Sequence, residues 1–136
     1  MKKTSISDVN TIEIPIFRDV KGDLIAIEHK THLPIEIKRV FQIIAPKGSV
    51  RGEHAHISHT QFMICTFGKI KIECDDGQYT KDFILEKPSI GILVPPNIWS
   101  RQTYLEENSI LTVLCDENYN EEEYVRDYQK FKSQKI

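Results

Sequence analysis

Two histidines placed two residues apart, just after closely spaced glycines, constrain this chain more than any other stretch. His54 and His56 are separated by Ala55, and Gly48 and Gly52 precede them. On a β-strand, residues i and i+2 point to the same face of the sheet. The spacing therefore predicts a strand on which both imidazoles project side by side, with the alanine facing away.

Much of the remaining chain consists of short stretches in which apolar and polar residues alternate. This period of two predicts β-strands with one buried face, and turns rich in glycine and proline separate the stretches. Besides the histidine strand, the predicted strands cover residues 11–17, 24–27, 35–44, 61–67, 69–75, 78–85, 90–94, 98–104 and 110–114. Many short strands at regular spacing indicate an all-β sandwich or barrel.

The pattern changes at residue 120, where a helix is predicted. Asn120 is a suitable N-cap, and Glu123 stands at the reciprocal position of a capping box. The helix is expected to cover about residues 120–133, with one apolar face formed by Tyr124, Val125, Tyr128 and Phe131. No internal repeat or linker interrupts the sequence, so a single domain over residues 1–136 is expected.

Charge and cysteine content narrow the class of protein. A net charge of −2 offers no electrostatic basis for binding nucleic acid or an anionic membrane. No apolar run approaches the roughly 20 residues that span a bilayer, and the basic start of the chain lacks the apolar run of a secretory signal. The three cysteines show no CxxC spacing and are predicted to be buried free thiols. We therefore expect a cytoplasmic protein without membrane or nucleic-acid partners.

The predicted strand at residues 35–44 carries an arginine on its apolar face. Arg39 shares that face with isoleucines and Phe41. A buried cation needs a partner. The sequence leaves open whether this partner is a carboxylate or a bound anion.

The histidine pair can be interpreted as a metal site, an acid–base pair or a structural feature. A metal site needs more ligands, but the next strand offers the amide of Gln61, and residues 91–100 contain no histidine. Two imidazoles and a neutral amide make a weak site for a transition metal. His59 lies at odd spacing from the pair, in a predicted loop.

An acid–base role suits the pair better, because histidine titrates near neutrality and two of them can hold one proton donor and one acceptor. Arg51 stands beside them and could stabilise an oxyanion or bind phosphate. Trp99 follows a rigid Pro-Pro turn, where it could offer a stacking surface for a sugar or simply be a core or rim aromatic.

The spacing of Gly48, His54, His56, Gln61 and Gly68 matches the first motif of the cupin superfamily, although metal-binding cupins carry glutamate at the position of Gln61. Four blocks closely resemble the small dTDP-4-keto-6-deoxyglucose 3,4-ketoisomerases, which are RmlC-like cupins and include the WxcM-like sugar isomerases. These blocks are Ile37-Lys38-Arg39-Val40-Phe41, Arg51-Gly52-Glu53-His54-Ala55-His56, Pro95-Pro96-Asn97-Ile98-Trp99 and Tyr124-Val125-Arg126-Asp127-Tyr128. The resemblance covers nearly the whole chain, from about residue 12 to residue 131.

The resemblance implies an all-β jelly roll, or double-stranded β-helix, with a short C-terminal α-helix, usually assembled as a homodimer. It also implies catalysis without metal or other cofactor by His54 and His56, and we add Arg51 to the catalytic set. The candidate substrate-binding residues are Arg39, Lys21, Gln61, Trp99, Phe41, Asn97 and Ser100. Lys21 stands where the family usually has arginine, and Ser100 where it often has histidine.

The implied activity moves the ketone of dTDP-4-keto-6-deoxyglucose from C4 to C3 through an enediol, in the biosynthesis of deoxyamino sugars for surface polysaccharide. One alternative is a dTDP-sugar 3,5-epimerase of the same fold. That reaction needs an acid on the opposite face of the ring, for which Tyr104 is the candidate. A second alternative is a non-catalytic module that binds nucleotide sugars.

Overall fold

The computed structural model describes residues 4–135, and antiparallel strands dominate this range. Within it, the strands are β1 (Asn10–Glu13), β2 (Ile16–Asp19), β3 (Gly22–Ile25), β4 (Arg39–Ala45), β5 (Val50–His56), β6 (Gln61–Phe67), β7 (Ile70–Asp75), β8 (Thr80–Leu85), β9 (Ile90–Val94), β10 (Trp99–Tyr104), β11 (Ser109–Cys115) and β12 (Tyr124–Val125), and the helix α1 is Tyr128–Gln134. No helix in this part of the chain is long and apolar enough to cross a membrane. The basic residues 1–3 lie outside the described range.

Two five-stranded sheets form the body of the protein. Their strand orders are β1-β9-β6-β11-β4 and β12-β5-β10-β7-β8, while β2 and β3 pair with each other in a separate hairpin. From β4 onward, every connection except that between β7 and β8 crosses from one sheet to the other. This alternation is the arrangement of a jelly roll, and it confirms the predicted all-β architecture with a short C-terminal helix.

The core lies between the inward faces of the two sheets. Ile70, Ile72 and Cys74 alternate along β7 and are fully buried, as are Leu111 and Val113 of β11. Burying a side chain of this size contributes about 1.5–3 kcal/mol. The alternation predicted for residues 69–75 is therefore confirmed, and its apolar face forms part of the principal core cluster.

Two predicted strands differ from the structure: the first is divided into two, and the strand predicted at residues 35–44 is shorter at its start. Residues 11–17 split into β1 and β2 around Pro15, which has no N–H to continue a ladder. The strand predicted at 35–44 begins only at Arg39, because its partner β11 ends opposite this residue at Cys115. The N–H of Lys38 still reaches the Cys115 carbonyl at 2.8 Å.

The helix predicted from residue 120 starts eight residues later. Asn120 caps only a 3-10 turn at Glu121–Glu123, and Asp127 caps α1 by accepting a hydrogen bond from the Lys130 N–H at 3.1 Å. The intervening Tyr124–Val125 pairs as β12 with the free edge of β5. The edge strand provides hydrogen-bond partners for the backbone of Tyr124 and Val125, which therefore do not become helical. The predicted start of the helix was wrong, and so was the prediction that Tyr124 and Val125 share a helical face with Tyr128 and Phe131.

Glu123 also has a different role from the one predicted. Its carboxylate accepts hydrogen bonds from the N–H and the hydroxyl of Ser58, both at 2.8 Å. It therefore ties the C-terminal segment to the loop after β5 instead of closing a capping box.

Candidate active site

A cavity of about 290 Å³ opens between the two sheets. It lies at the end of the jelly roll where β4 begins and β5 ends. One sheet supplies side chains from β4, β6 and β11, and the other supplies them from β5, β10 and β12. The lining residues are Arg39, Phe41, Ile43, Arg51, Gly52, His54, Gln61, Met63, Gln102, Val113, Tyr124 and Arg126. The cavity thus combines an apolar floor with arginines, amides and an imidazole.

A β-bulge in β5 brings Arg51 and His54 to the same side of the sheet. Residues three apart on a regular strand point to opposite faces. Here Gly52 and Glu53 both adopt positive φ, at 85° and 60°. The pairing with β10 passes from His54 opposite Ser100 to Gly52 opposite Arg101, so one residue is left over. Both functional side chains therefore face the cavity.

The predicted geometry of the histidine pair is confirmed. The rings of His54 and His56 lie with centroids 5.1 Å apart and nearly perpendicular planes. Ala55 points to the other face of the sheet, where it packs with Val125 and Phe131. His56 packs against His54, is 7% exposed and does not itself line the cavity.

Burial keeps both imidazoles neutral near pH 7. Desolvation lowers the pKa of His54, and it lowers the pKa of His56 to about 3, with a further contribution from the neighbouring His54. Among residues 4–135, neither ring nitrogen of His56 has a hydrogen-bond partner. A neutral imidazole carries a free lone pair, so the site holds proton acceptors shielded from bulk water.

Cationic groups surround the mouth of the cavity. The guanidinium group of Arg39 lies 4.5 Å from the centre of the Phe41 ring, and that of Arg126 lies 4.4 Å from the centre of the Tyr124 ring. Arg126 is paired with Glu121, at 3.0 Å. Within the described residues, neither Arg39 nor Arg51 forms an ion pair. Among residues 4–135, the structure therefore provides no carboxylate partner for Arg39.

The predicted binding residues do not all meet at this cavity. Phe41 and Gln61 line it, and the Gln61 amide lies 3.7 Å from the Cys115 sulfur. Ser100 is buried on the inward face, opposite His54. In the described range, no group of three histidine, cysteine or acidic side chains is arranged to hold a metal ion.

Trp99, Asn97 and Lys21 lie elsewhere. Because Ser100 and Gln102 point inward on β10, Trp99 points outward, where it packs edge-on against Tyr128 at 5.2 Å and supports α1. The N–H of Asn97 donates to the His56 carbonyl at 2.7 Å. Lys21 is exposed at the turn between β2 and β3. Of the two alternatives for Trp99, this position favours the core or rim aromatic, since Trp99 does not line the cavity.

Sequence reasoning missed several residues at the site. Tyr124 places its ring 4.9 Å from that of His54 and 4.5 Å from that of His56. Predicting a helix here hid this contact, because only a strand beside β5 aims Tyr124 at the histidines. His59 was predicted to lie in a loop apart from the pair, yet it is buried and stacks on His56 with centroids 5.6 Å apart.

The buried His56 should make stability depend on pH. Its pKa is about 3 when folded and 6.5 when exposed, so between these values the unfolded chain binds the extra proton. The stability that the protein has with neutral His56 is therefore fully present above pH 6.5, and it is lost progressively as the pH falls below this value. From pH 7 to pH 5 the free energy of unfolding should drop by about 2 kcal/mol from this residue.

Urea unfolding at the two pH values measures this difference, and His56→Gln should reduce the drop by about the same amount. His29→Gln is the matched control, because His29 is already exposed in the folded protein. An unchanged pH dependence in His56→Gln would contradict the buried neutral state.

Comparison with known proteins places the chain in a family. The model of the family described as FdtA, WxcM-like, C-terminal, matches residues 7–136. TDP-4-oxo-6-deoxy-α-D-glucose-3,4-oxoisomerase of Aneurinibacillus thermoaerophilus is 35% identical over 115 residues, which cover 84% of this chain and 83% of that protein.

Solved structures agree with this assignment. The sugar 3,4-ketoisomerase QdtA of Thermoanaerobacterium thermosaccharolyticum, in complex with TDP, superposes with a TM-score of 0.92 at 32% identity, covering 96% of each chain. The RmlC epimerase of Mycobacterium tuberculosis gives a TM-score of 0.77 at 18% identity over 91% of this chain and 72% of that one, which shows the shared RmlC-like cupin fold alone. This chain belongs to the FdtA family of WxcM-like proteins.

Proposed function

We propose that this protein is a nucleotide-sugar 3,4-ketoisomerase that converts dTDP-4-keto-6-deoxyglucose to its 3-keto isomer. The observation that carries the proposal is the pair of neutral, desolvated histidines on one strand face, beside a cavity with arginines that lack a carboxylate partner. The names of two relatives supply the substrate: the Aneurinibacillus protein and QdtA are both 3,4-isomerases, and the first is named for this sugar.

The chemistry of the reaction suits these groups. A base removes the proton from C3, the electron pair forms a double bond to C4, and the C4 oxygen takes up negative charge. A proton is then delivered to carbon C4. The C3 hydroxyl gives up its proton as C3 becomes the ketone, and the C4 oxygen takes up a proton to become the new hydroxyl. No external oxidant is consumed, because the oxidation state only moves within the sugar. Neutral His54 and His56 can accept and return these protons, and Arg51 can stabilise the enediolate.

The epimerase alternative loses its candidate acid. The hydroxyl of Tyr104 donates a hydrogen bond to Gln102 at 3.0 Å, and the side chain is fully buried. It does not line the space that a sugar ring could occupy. A purely binding module would gain nothing from imidazole nitrogens that are buried without partners, since such groups cost free energy.

We also propose that Arg39 contacts the diphosphate, because its guanidinium lacks an ion-pair partner within residues 4–135. Charged hydrogen bonds of this kind contribute about 1.5–3 kcal/mol. Arg39→Ala should therefore weaken dTDP binding by about ten- to hundredfold in calorimetry. Arg101→Ala, which removes an exposed arginine from the outer face, is the matched control. Equal affinities of the two variants would argue against this placement.

We propose that the protein is cytoplasmic, since its buried free cysteines suit a reducing environment. We also propose that single-domain subunits assemble as a homodimer. The hairpin of β2 and β3 pairs only with itself in the described range, yet it exposes Phe17, Val20 and Leu24 by 63%, 102% and 58%. An isolated hairpin is marginally stable, and exposed apolar clusters mark interaction surfaces. Lys21 lies at the turn of this hairpin and does not line the cavity. Light scattering at micromolar concentration should give twice the chain mass, and a monomer would contradict the proposal.

The function itself is tested with dTDP-4-keto-6-deoxyglucose in deuterated water, followed by NMR. A ketoisomerase should produce the 3-keto sugar. An epimerase would exchange protons at C3 and C5 without moving the ketone, and a binding module would leave the sugar unchanged. Either of the last two results would overturn the proposal.

The histidines give the second prediction from this chemistry. His54→Asn and His56→Asn keep a polar side chain but remove the proton acceptor, so turnover of at least one variant should fall about a hundredfold or more. Binding of dTDP should stay nearly intact in both. The double variant should be little slower than the poorer single variant, because the residues act as a unit. His29→Asn, outside the cavity, is the control. Near-normal turnover in both single variants would show that the pair is structural.

A further inference from the structure

A buried pair on β10 presents one more polar group to the cavity. Gln102 is 4% exposed and lines the cavity beside Arg51 and His54. Its Oε1 accepts a hydrogen bond from the hydroxyl of Tyr104, at 3.0 Å. Tyr104 lies two residues further along the same inward face and is fully buried.

The hydroxyl of Tyr104 determines which end of the amide faces the cavity. Burial raises the pKa of Tyr104 to about 12, so the hydroxyl keeps its proton and needs an acceptor. If the Gln102 amide turned over, its NH2 group would meet the hydroxyl and the phenolic proton would lose its acceptor. A buried donor without a partner costs about 1–3 kcal/mol. This cost favours the orientation in which Oε1 faces Tyr104.

The opposite end of the amide is then a donor directed away from Tyr104. Nε2 lies 3.4 Å from the point where a Cβ of Gly52 would stand, in the gap that the glycine leaves at the bulge. Within the described residues, the side chain of Gln102 makes one hydrogen bond, that from Tyr104 to Oε1, which leaves Nε2 without a protein partner. The same bulge that turns Arg51 and His54 inward therefore leaves room for this N–H donor beside them.

We propose that Gln102 donates an N–H hydrogen bond to the sugar oxygen at C4, which becomes negatively charged in the enediolate, and that Tyr104 is the positioning residue that holds the amide in this orientation. The role rests on the proposed ketoisomerase function. When the C3 proton moves to an imidazole, the C3–H electron pair forms the C3–C4 double bond and the carbonyl pair moves onto the C4 oxygen. Gln102 exchanges no proton. It stabilises the charge more than the neutral ketone, so it acts on turnover and not on binding.

The test compares kcat, KM and dTDP affinity in single and double variants. Gln102→Met keeps the length of the side chain and removes the donor, and kcat should fall by about a hundredfold with KM and dTDP affinity changed less than about threefold. Tyr104→Phe removes only the hydroxyl and should lower kcat by about three- to tenfold, because the amide can then turn over. The matched controls are Gln42→Met and Tyr79→Phe, both on exposed positions, and both should retain wild-type kcat.

Coupling between the two sites distinguishes positioning from a merely structural role. If Tyr104 acts through Gln102, the double variant should have the kcat of Gln102→Met alone, whereas the same fold loss in both backgrounds would overturn the positioning role. Should Gln102→Met fail to fold, Gln102→Glu keeps the acceptor for Tyr104 and replaces the donor, and it should show the same loss of kcat. Wild-type kcat in the folded Gln102 variant would overturn the role of Gln102 and leave the proposed ketoisomerase function standing. A wild-type protein without isomerase activity would overturn the proposed function and this role with it.

Discussion

The bulge at Gly52 and Glu53 is the constraint on which the candidate site depends. The backbone is left-handed at two successive residues: glycine adopts this conformation at no steric cost, whereas Glu53 adopts it against the steric preference of its Cβ. Without the extra residue, Arg51 would point to the outer face whenever His54 points inward. The bulge thus places a permanent cation and a neutral base on the same wall of the cavity. A side chain at Gly52 would also come within 3.0 Å of the Ser100 carbonyl.

The second feature of the site is desolvation by the surrounding core. The two sheets supply enough buried apolar surface to hold polar groups in a space between them. That burial lowers the pKa of both histidines and raises the pKa of Tyr104, so the site contains proton acceptors and a hydroxyl that keeps its proton. The unpartnered nitrogens of His56 cost stability. Protein interiors retain such groups where chemistry needs them.

The C-terminal segment completes the cavity from outside the jelly roll. Tyr124 and Val125 extend the sheet at β5, which turns Tyr124 toward the histidines and Val125 toward Phe131 of α1. Trp99 supports that helix from the outer face of β10. Glu123 anchors the segment to the loop that carries His59. Trp99 therefore supports the scaffold, and Tyr124, which was assigned to a helix, faces the cavity.

The sequence by itself determined the alternation that makes the fold all-β, the common face of His54 and His56, and the position of Arg39 on an inward face. These are local properties, since residue spacing along one strand fixes the direction of its side chains. Only the tertiary structure decided that Arg51 joins the histidines, because a bulge depends on the register of the neighbouring strand. The tertiary structure likewise decided that Tyr124 lies on a strand facing the histidines and that the hydroxyl of Tyr104 bonds to Gln102. A capping motif at residue 120 competes with the free edge of β5, and the role of a buried hydroxyl depends on the acceptor that packing places beside it.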